Sequence, residues 1–249
     1  MDLLTNPISF FIIYILLFFI IIVARYFLAA GVFYYYYYIK HLEKFEPKRL
    51  SKREFKKDQV KKEIKWSLIS SAIFAVAGAL VFYLFTHELM AIYMDFSLSD
   101  LWYIPLSFIL VLLIHETYYY WIHRWMHRPG IYSKVHKVHH DSLTPTPWTA
   151  FSFHPWEAAL EAVIIPFILL VIPMHLYAVV FYLVFMTISC VINHLDIEFY
   201  PDSCLKNKVG QNFIGATHHH YHHSEFNTNY GLYFTFWDKW MRTESSKME

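Results

Sequence analysis

Three short stretches hold histidines at spacings that suit metal chemistry: HRWMH at 123–127, HKVHH at 136–140 and HHHYHH at 218–223. His123 and His127 are four apart and share one face of a helix. His136, His139 and His140 stand at i, i+3 and i+4, and His219, His222 and His223 repeat that pattern. A purification tag is an unbroken run at a chain end, whereas the last cluster is interrupted by Tyr221 and lies inside the chain. A zinc ion takes about four ligands. The eight imidazoles of these motifs exceed that, which implies two metals. Neutral imidazole suits iron, copper, nickel and zinc alike, so ligand type alone leaves the metal open. Cys190 and Cys204 form no CxxC pair, are expected as reduced thiols, and do not read as ligands.

The elements that must position these residues are membrane helices. The chain has 249 residues, 57% hydrophobic and 20% aromatic, with only 16% charged. A soluble-domain composition is excluded. A bilayer-spanning helix needs ~20 mostly apolar residues, and Ile8 to Ala24 and Trp66 to His87 run without a formal charge. Leu101 to Ile114 forms a third apolar segment that leads into His115, Glu116 and the first motif. From Ala162 to Leu195, 34 residues carry no charge but include Pro166 and Pro173. That length predicts a bent hairpin of two short, membrane-embedded helices. Arg25 requires snorkelling or a partner, and the run of tyrosines at 34–38 reads as an interfacial aromatic belt.

Residues 40–65 hold 11 of the 21 Lys and Arg, against five acids. Flanked by membrane helices, this run reads as a topogenic cytoplasmic loop rather than a nucleic-acid site. The third span and the hairpin then both return the chain to the cytoplasm. All three clusters meet on that face, joined by His194 as a ninth ligand. His154, in SFHPWE, is a possible tenth. Glu116 lies seven residues before His123, so it is expected to accept an N–H from a ligating ring. Asp196, two from His194, and Glu157, three from His154, are expected in the same supporting role. The segment Asn227 to Trp240 is expected to close a cap over the metals, with Trp237 and Trp240 packed inside and Asp238 and Lys239 at the surface.

HRWMH, HKVHH and HHHYHH, in that order between membrane spans, resemble the fatty acid hydroxylase superfamily of integral-membrane di-iron oxygenases. The connecting segments HKVHHDSLTPTPWTAFSFHPWEA and GATHHHYHHSEFNTNYGLYFTFWDKWM resemble its sterol C5-desaturase branch. The resemblance covers roughly residues 101–243. It implies that the ligands are His123, His127, His136, His139, His140, His219, His222 and His223, with His194 matching a further family histidine. Some members carry another histidine four residues away, where this chain has Cys190 and Glu198, which leaves the ligand count open. It further implies two iron ions, dioxygen as co-substrate, a membrane lipid as substrate and a choice between hydroxylation and desaturation. No heme or flavin motif appears, so electrons are expected from a small carrier such as cytochrome b5 or a ferredoxin with its reductase. The basic loop is a candidate surface for docking it.

The expected architecture is an all-α integral membrane protein with four to five embedded helical segments and a cytoplasmic helical cap. Residues 1–100 are expected to form an anchor with its basic loop, and residues 101–249 the catalytic domain. Short length and an ending without a retrieval signal favour a bacterial inner membrane over endoplasmic reticulum. Two other readings compete. A metal transporter or sensor would place ionisable ligands near the bilayer midplane, and a two-metal hydrolase would mix carboxylates into its ligand set.

Overall fold

A computed structural model describes residues 6–205 and 207–248 of the chain. Numbering only helices of six residues or more, the order is α1 Pro7–Tyr34, α2 Gln59–Thr86, α3 Asp100–Met126, α4 Pro155–Val171, α5 Leu176–Asn193, α6 Ala216–Glu225 and α7 Phe236–Met241. Among the described residues, four helical segments are long and apolar enough to cross a membrane: Ile8–Lys40, Gln59–Thr86, Asp100–Met126 and Leu176–Asn193. The protein is a multi-pass, all-α membrane protein.

Each span begins or ends where local chemistry dictates. The side chain of Asn6 accepts from the amide of Ile8, and Pro7 occupies a first-turn position where its missing N–H costs nothing. Asp100 opens α3 by accepting from the Ser97 amide and the Tyr93 hydroxyl. The predicted hairpin is present as α4 and α5, but only Pro173 breaks it. Pro166 lies inside α4, where a helix loses one hydrogen bond and continues. Beyond Pro173, Met174–His175 pairs in parallel with Ile92–Tyr93, tying the α4–α5 turn to the α2–α3 connection at the end of the bundle remote from the histidine motifs.

Helix α1 packs along α2. Both lean on the segment Pro147–Phe151, where Trp148 and Phe151 cluster with Tyr26, Ala30 and Ala75. Alanines 30, 75 and 79 are fully buried, the small residues that let helix backbones approach in a lipid environment. A second apolar core joins α3, α4 and α5 through Val111, Ile164, Ile168, Met174 and Val179.

Within the tyrosine run, Tyr35 and Tyr36 are exposed and Tyr38 is buried. Residues 35–40 form a π-helix. Tyr34 stacks on Tyr38 at 5.2 Å, and buried Tyr38 donates its hydroxyl to the carbonyl of Leu195, the residue after His194.

Candidate metal centre

The site is assembled from the C-terminal ends of α3 and α5, two single-turn helices at Tyr132–Val135 and Lys137–His140, and α6. His123 lies in the last turn of α3 and His127 caps it. A three-residue turn at Arg128–Gly130 then returns the chain so that His136, His139 and His140 face them, and His194 caps α5. The structure brings all nine expected histidines together in two groups. One is His123, His127, His136, His140 and His222; the other is His139, His194, His219 and His223. Within each, one nitrogen per ring lies within 4.8 Å of every other. The groups adjoin, with 4.6 Å between the His140 and His223 ring centroids.

The tautomers follow from the hydrogen bonds. Nδ1 of His123 donates to the Tyr230 carbonyl at 2.9 Å, that of His194 to Cys190 at 2.7 Å, and that of His222 to Thr228 at 2.8 Å. Nδ1 of His136 faces Glu157 Oε1 at 2.7 Å. A neutral imidazole that donates from Nδ1 presents a bare lone pair at Nε2. The Nε2 atoms converge: in the first group their separations are 3.0 Å for His123–His136, 3.2 Å for His127–His140 and 3.0 Å for His140–His222. In the second they are 3.1 Å for His139–His194, 2.9 Å for His194–His219 and 3.1 Å for His219–His223. Acceptors packed this closely repel each other unless a Lewis acid lies between them. With metal–nitrogen bonds of about 2.1 Å, neighbouring nitrogens lie about 3.0 Å apart in an octahedral shell and about 3.4 Å apart in a tetrahedral one. The observed separations are of the size that nitrogens sharing a metal show.

Electrostatics point the same way. Burial, reinforced by neighbouring rings, holds His136, His139, His140, His219, His222 and His223 well below the ordinary imidazole range. Burial lowers His194 to about 4 and His127 to about 2. The rings are therefore neutral at physiological pH, the form that binds metal. Eight of the nine are buried and His127 is half-buried.

The supporting carboxylates differ from expectation in two cases. Glu116 touches no imidazole; it accepts the backbone amides of Leu232, Tyr233 and Phe234, at 2.7 Å for the best of them. Asp238, expected at the surface, is buried and accepts the amides of Tyr230 and Gly231 at 2.9 Å. Two carboxylates thus hold five consecutive amides, and the same loop offers the Tyr230 carbonyl to His123. A side chain at Gly231 would meet the Phe234 carbonyl at 2.6 Å and Glu116 at 2.9 Å, so the loop closes only on glycine. Glu116 and His123 share a helix face, but this loop intervenes between them.

Asp196 likewise reaches no ring of the two groups. It accepts from the Ser51 amide at 2.9 Å and from Arg49 Nε at 3.2 Å, with His220 Nδ1 at 3.3 Å. Only Glu157 takes the expected role on a grouped ring. His154 lies outside both groups; its Nδ1 caps α4 by accepting the Trp156 amide. Of the aromatics near the site, Phe153 lies 5.2 Å from the His139 ring, whereas Trp148 and Phe151 are core. Trp237 stacks on Tyr120 as expected of the cap, but Trp240 is 65% exposed.

Glu63 was not foreseen. Buried in the first turns of α2, it accepts from Gln59 at 2.7 Å, Ser142 at 2.8 Å and Thr146 at 2.7 Å, clamping the loop that follows His140. A signal existed in the sequence: Gln59, Glu63, Ser67 and Ser71 recur every four residues, a polar stripe within an apolar helix, and all four are buried.

The profile of the family described as fatty acid hydroxylase matches residues 108–243. Lathosterol oxidase of Homo sapiens is 30% identical over 192 residues, covering 75% of this chain and 61% of its own length. A Delta(7)-sterol 5(6)-desaturase of Aspergillus fumigatus is 32% identical over 200 residues, covering 78% and 56%. One from Gibberella zeae reaches 36% over 142 residues, covering 56% and 38%. The chain spans about three fifths or less of the length of these relatives. No solved structure matches it.

Proposed function

Because the chain belongs to the fatty acid hydroxylase family, we propose that it is a membrane-bound, dioxygen-dependent oxidoreductase that hydroxylates or desaturates a C–H bond of a sterol-like or fatty-acyl lipid, using two iron ions. The observation that carries this reading is the convergence of nine neutral imidazoles, with no carboxylate among them, into two adjoining groups at the inner ends of membrane helices. His123, His127, His136, His140 and His222 would hold one ion, and His139, His194, His219 and His223 the other. Bound ferrous iron supplies the capacity to reduce dioxygen and oxidise an unactivated carbon. Glu157 orients His136, and the Glu116–Asp238 loop orients His123.

Electrons balance with an outside donor. Hydroxylation consumes the lipid, O2, two electrons and two protons, and yields an alcohol and one water; desaturation uses the same inputs and yields an alkene and two waters. The chain holds no carrier motif, so the two electrons come from a small electron-transfer protein with its reductase. The names of the relatives favour a sterol-like substrate. Residues 101–249 carry the chemistry, while residues 1–100 anchor the chain and clamp the site through Glu63 and Arg49. By the positive-inside rule, the basic loop at 40–65 supports a site on the cytoplasmic face.

The test compares lipids, by mass spectrometry, from cells carrying the intact gene and cells carrying His139→Ala, grown with oxygen and iron. A lipid that gains one oxygen, or loses two hydrogens, only with the intact protein supports the reading and identifies the substrate. If no lipid changes while cellular metal content does, the reading fails and a metal transporter takes its place.

A further inference from the structure

Eight of the nine grouped histidines are buried, and His127 alone presents an appreciable part of its surface. It does so at the floor of a cleft of about 440 Å³ between the inner end of α3 and the cap. Trp121 and Trp125, 46% and 37% exposed, form one wall, Arg124 and Arg128 supply its charge, and Tyr230 forms the far side. No carboxylate lines it. The Tyr230 ring lies 5.3 Å from the His127 ring and 5.7 Å from those of His123 and His222, so the cleft wall is in contact with three rings of one group.

We propose that this cleft, rather than the basic loop at 40–65, is where an acidic one-electron carrier protein docks. The proposal rests on the oxidoreductase reading above, which requires two single-electron deliveries per turnover from a reduced carrier that leaves oxidised. Tunnelling favours the shortest contact between carrier and acceptor, and the cleft is where a grouped imidazole meets the surface. Two arginines without a neighbouring acid attract and orient an acidic partner, and flanking tryptophans are the residue type that dominates contact energies at interfaces. A lipid tail fits less well, because Arg124, His127, Arg128 and Asn227 interrupt the apolar wall. The basic loop is less suited as well: Arg49 is committed to Asp196 and Glu46, and no grouped histidine is exposed beside it.

The test measures binding of reduced cytochrome b5, and separately of an acidic ferredoxin, to the iron-loaded protein in neutral phosphatidylcholine nanodiscs. Three variants are compared with wild type: Arg128→Glu, Arg124→Gln with Arg128→Glu, and Lys52→Glu with Lys57→Glu on the loop. Arg128→Glu alone guards against a folding effect, since Arg124 also donates to the Tyr120 hydroxyl at 3.2 Å; iron content reports the fold. Expected is a rise in carrier Kd of about tenfold or more at low salt for both cleft variants, a flattened salt dependence, and less than about twofold for the loop pair. Weaker binding by the loop pair alone, or unchanged binding by all three, overturns the proposal. An effect that appears only when phosphatidylglycerol is added assigns the arginines to a lipid headgroup and also overturns it. Carrier binding with no lipid oxidised would instead count against the oxidoreductase reading and leave the cleft assignment standing.

Discussion

Glu157 Oε1 lies 2.7 Å from Nδ1 of His136, and both residues are almost wholly buried. Among the described residues the carboxylate is the one acid that touches a grouped ring, and it belongs to α4, an element that carries no grouped histidine. Partners of this kind orient a metal-binding imidazole and raise its basicity, and their loss typically costs 10–100-fold in metal affinity or activity. Glu157→Gln keeps an acceptor but loses the charge, so it should retain both metals and lose about tenfold in activity. Glu157→Leu should bring iron below two per chain. Metal analysis together with oxygen consumption checks both; full iron in Glu157→Leu would remove the orienting role.

The Glu63 clamp predicts a graded series. Glu63→Ala strands the Ser142 and Thr146 hydroxyl protons in a buried site, at about 1–3 kcal/mol for each unsatisfied group, while the Gln59 amide keeps its bond to the Thr144 carbonyl. Thermal stability and iron content should both fall, and Glu63→Gln, which can still accept, should be intermediate. Normal iron in a destabilised Glu63→Ala protein would separate the clamp from the metal centre.

His154 and His139 should behave oppositely. His154→Ala removes a helix cap, worth about 1 kcal/mol, and should leave iron and activity near wild type. His139→Ala should abolish activity and lower iron. Loss of iron in His154→Ala would return it to the ligand set.

Asp238 predicts a pH dependence. Burial pushes its carboxyl up to about 6, against the pull of Thr243 and the Tyr230 and Gly231 amides. The folded state therefore holds this proton more tightly than the unfolded chain, whose aspartate titrates near 3.9. Its contribution is fully present below about pH 4 and is lost as pH rises through 6, on the order of 3 kcal/mol in all. Asp238→Asn has nothing to titrate. The difference in Tm between wild type and variant should favour wild type most near pH 4 and shrink toward pH 6.5; a difference that does not change with pH would refute the assignment.

What the sequence by itself determined was whatever depends on spacing along one helix or on composition. The i, i+3, i+4 histidines reach a common site because one turn of helix aligns them. The first three spans and the α4–α5 hairpin were legible because apolar length and proline leave few alternatives. A shared face also suggested that Glu116 would meet His123, and there the reasoning failed. Helical phase says which way two side chains point and cannot say that a loop from a hundred residues later will enter between them. Only the tertiary structure decided which histidines group with which, because His123, His136 and His222 meet through three separate elements. It also decided that Tyr38, Arg49 and Glu63 of the anchor brace the loops beside the grouped histidines. Those partners satisfy buried polar groups across long sequence separations, which no local pattern specifies.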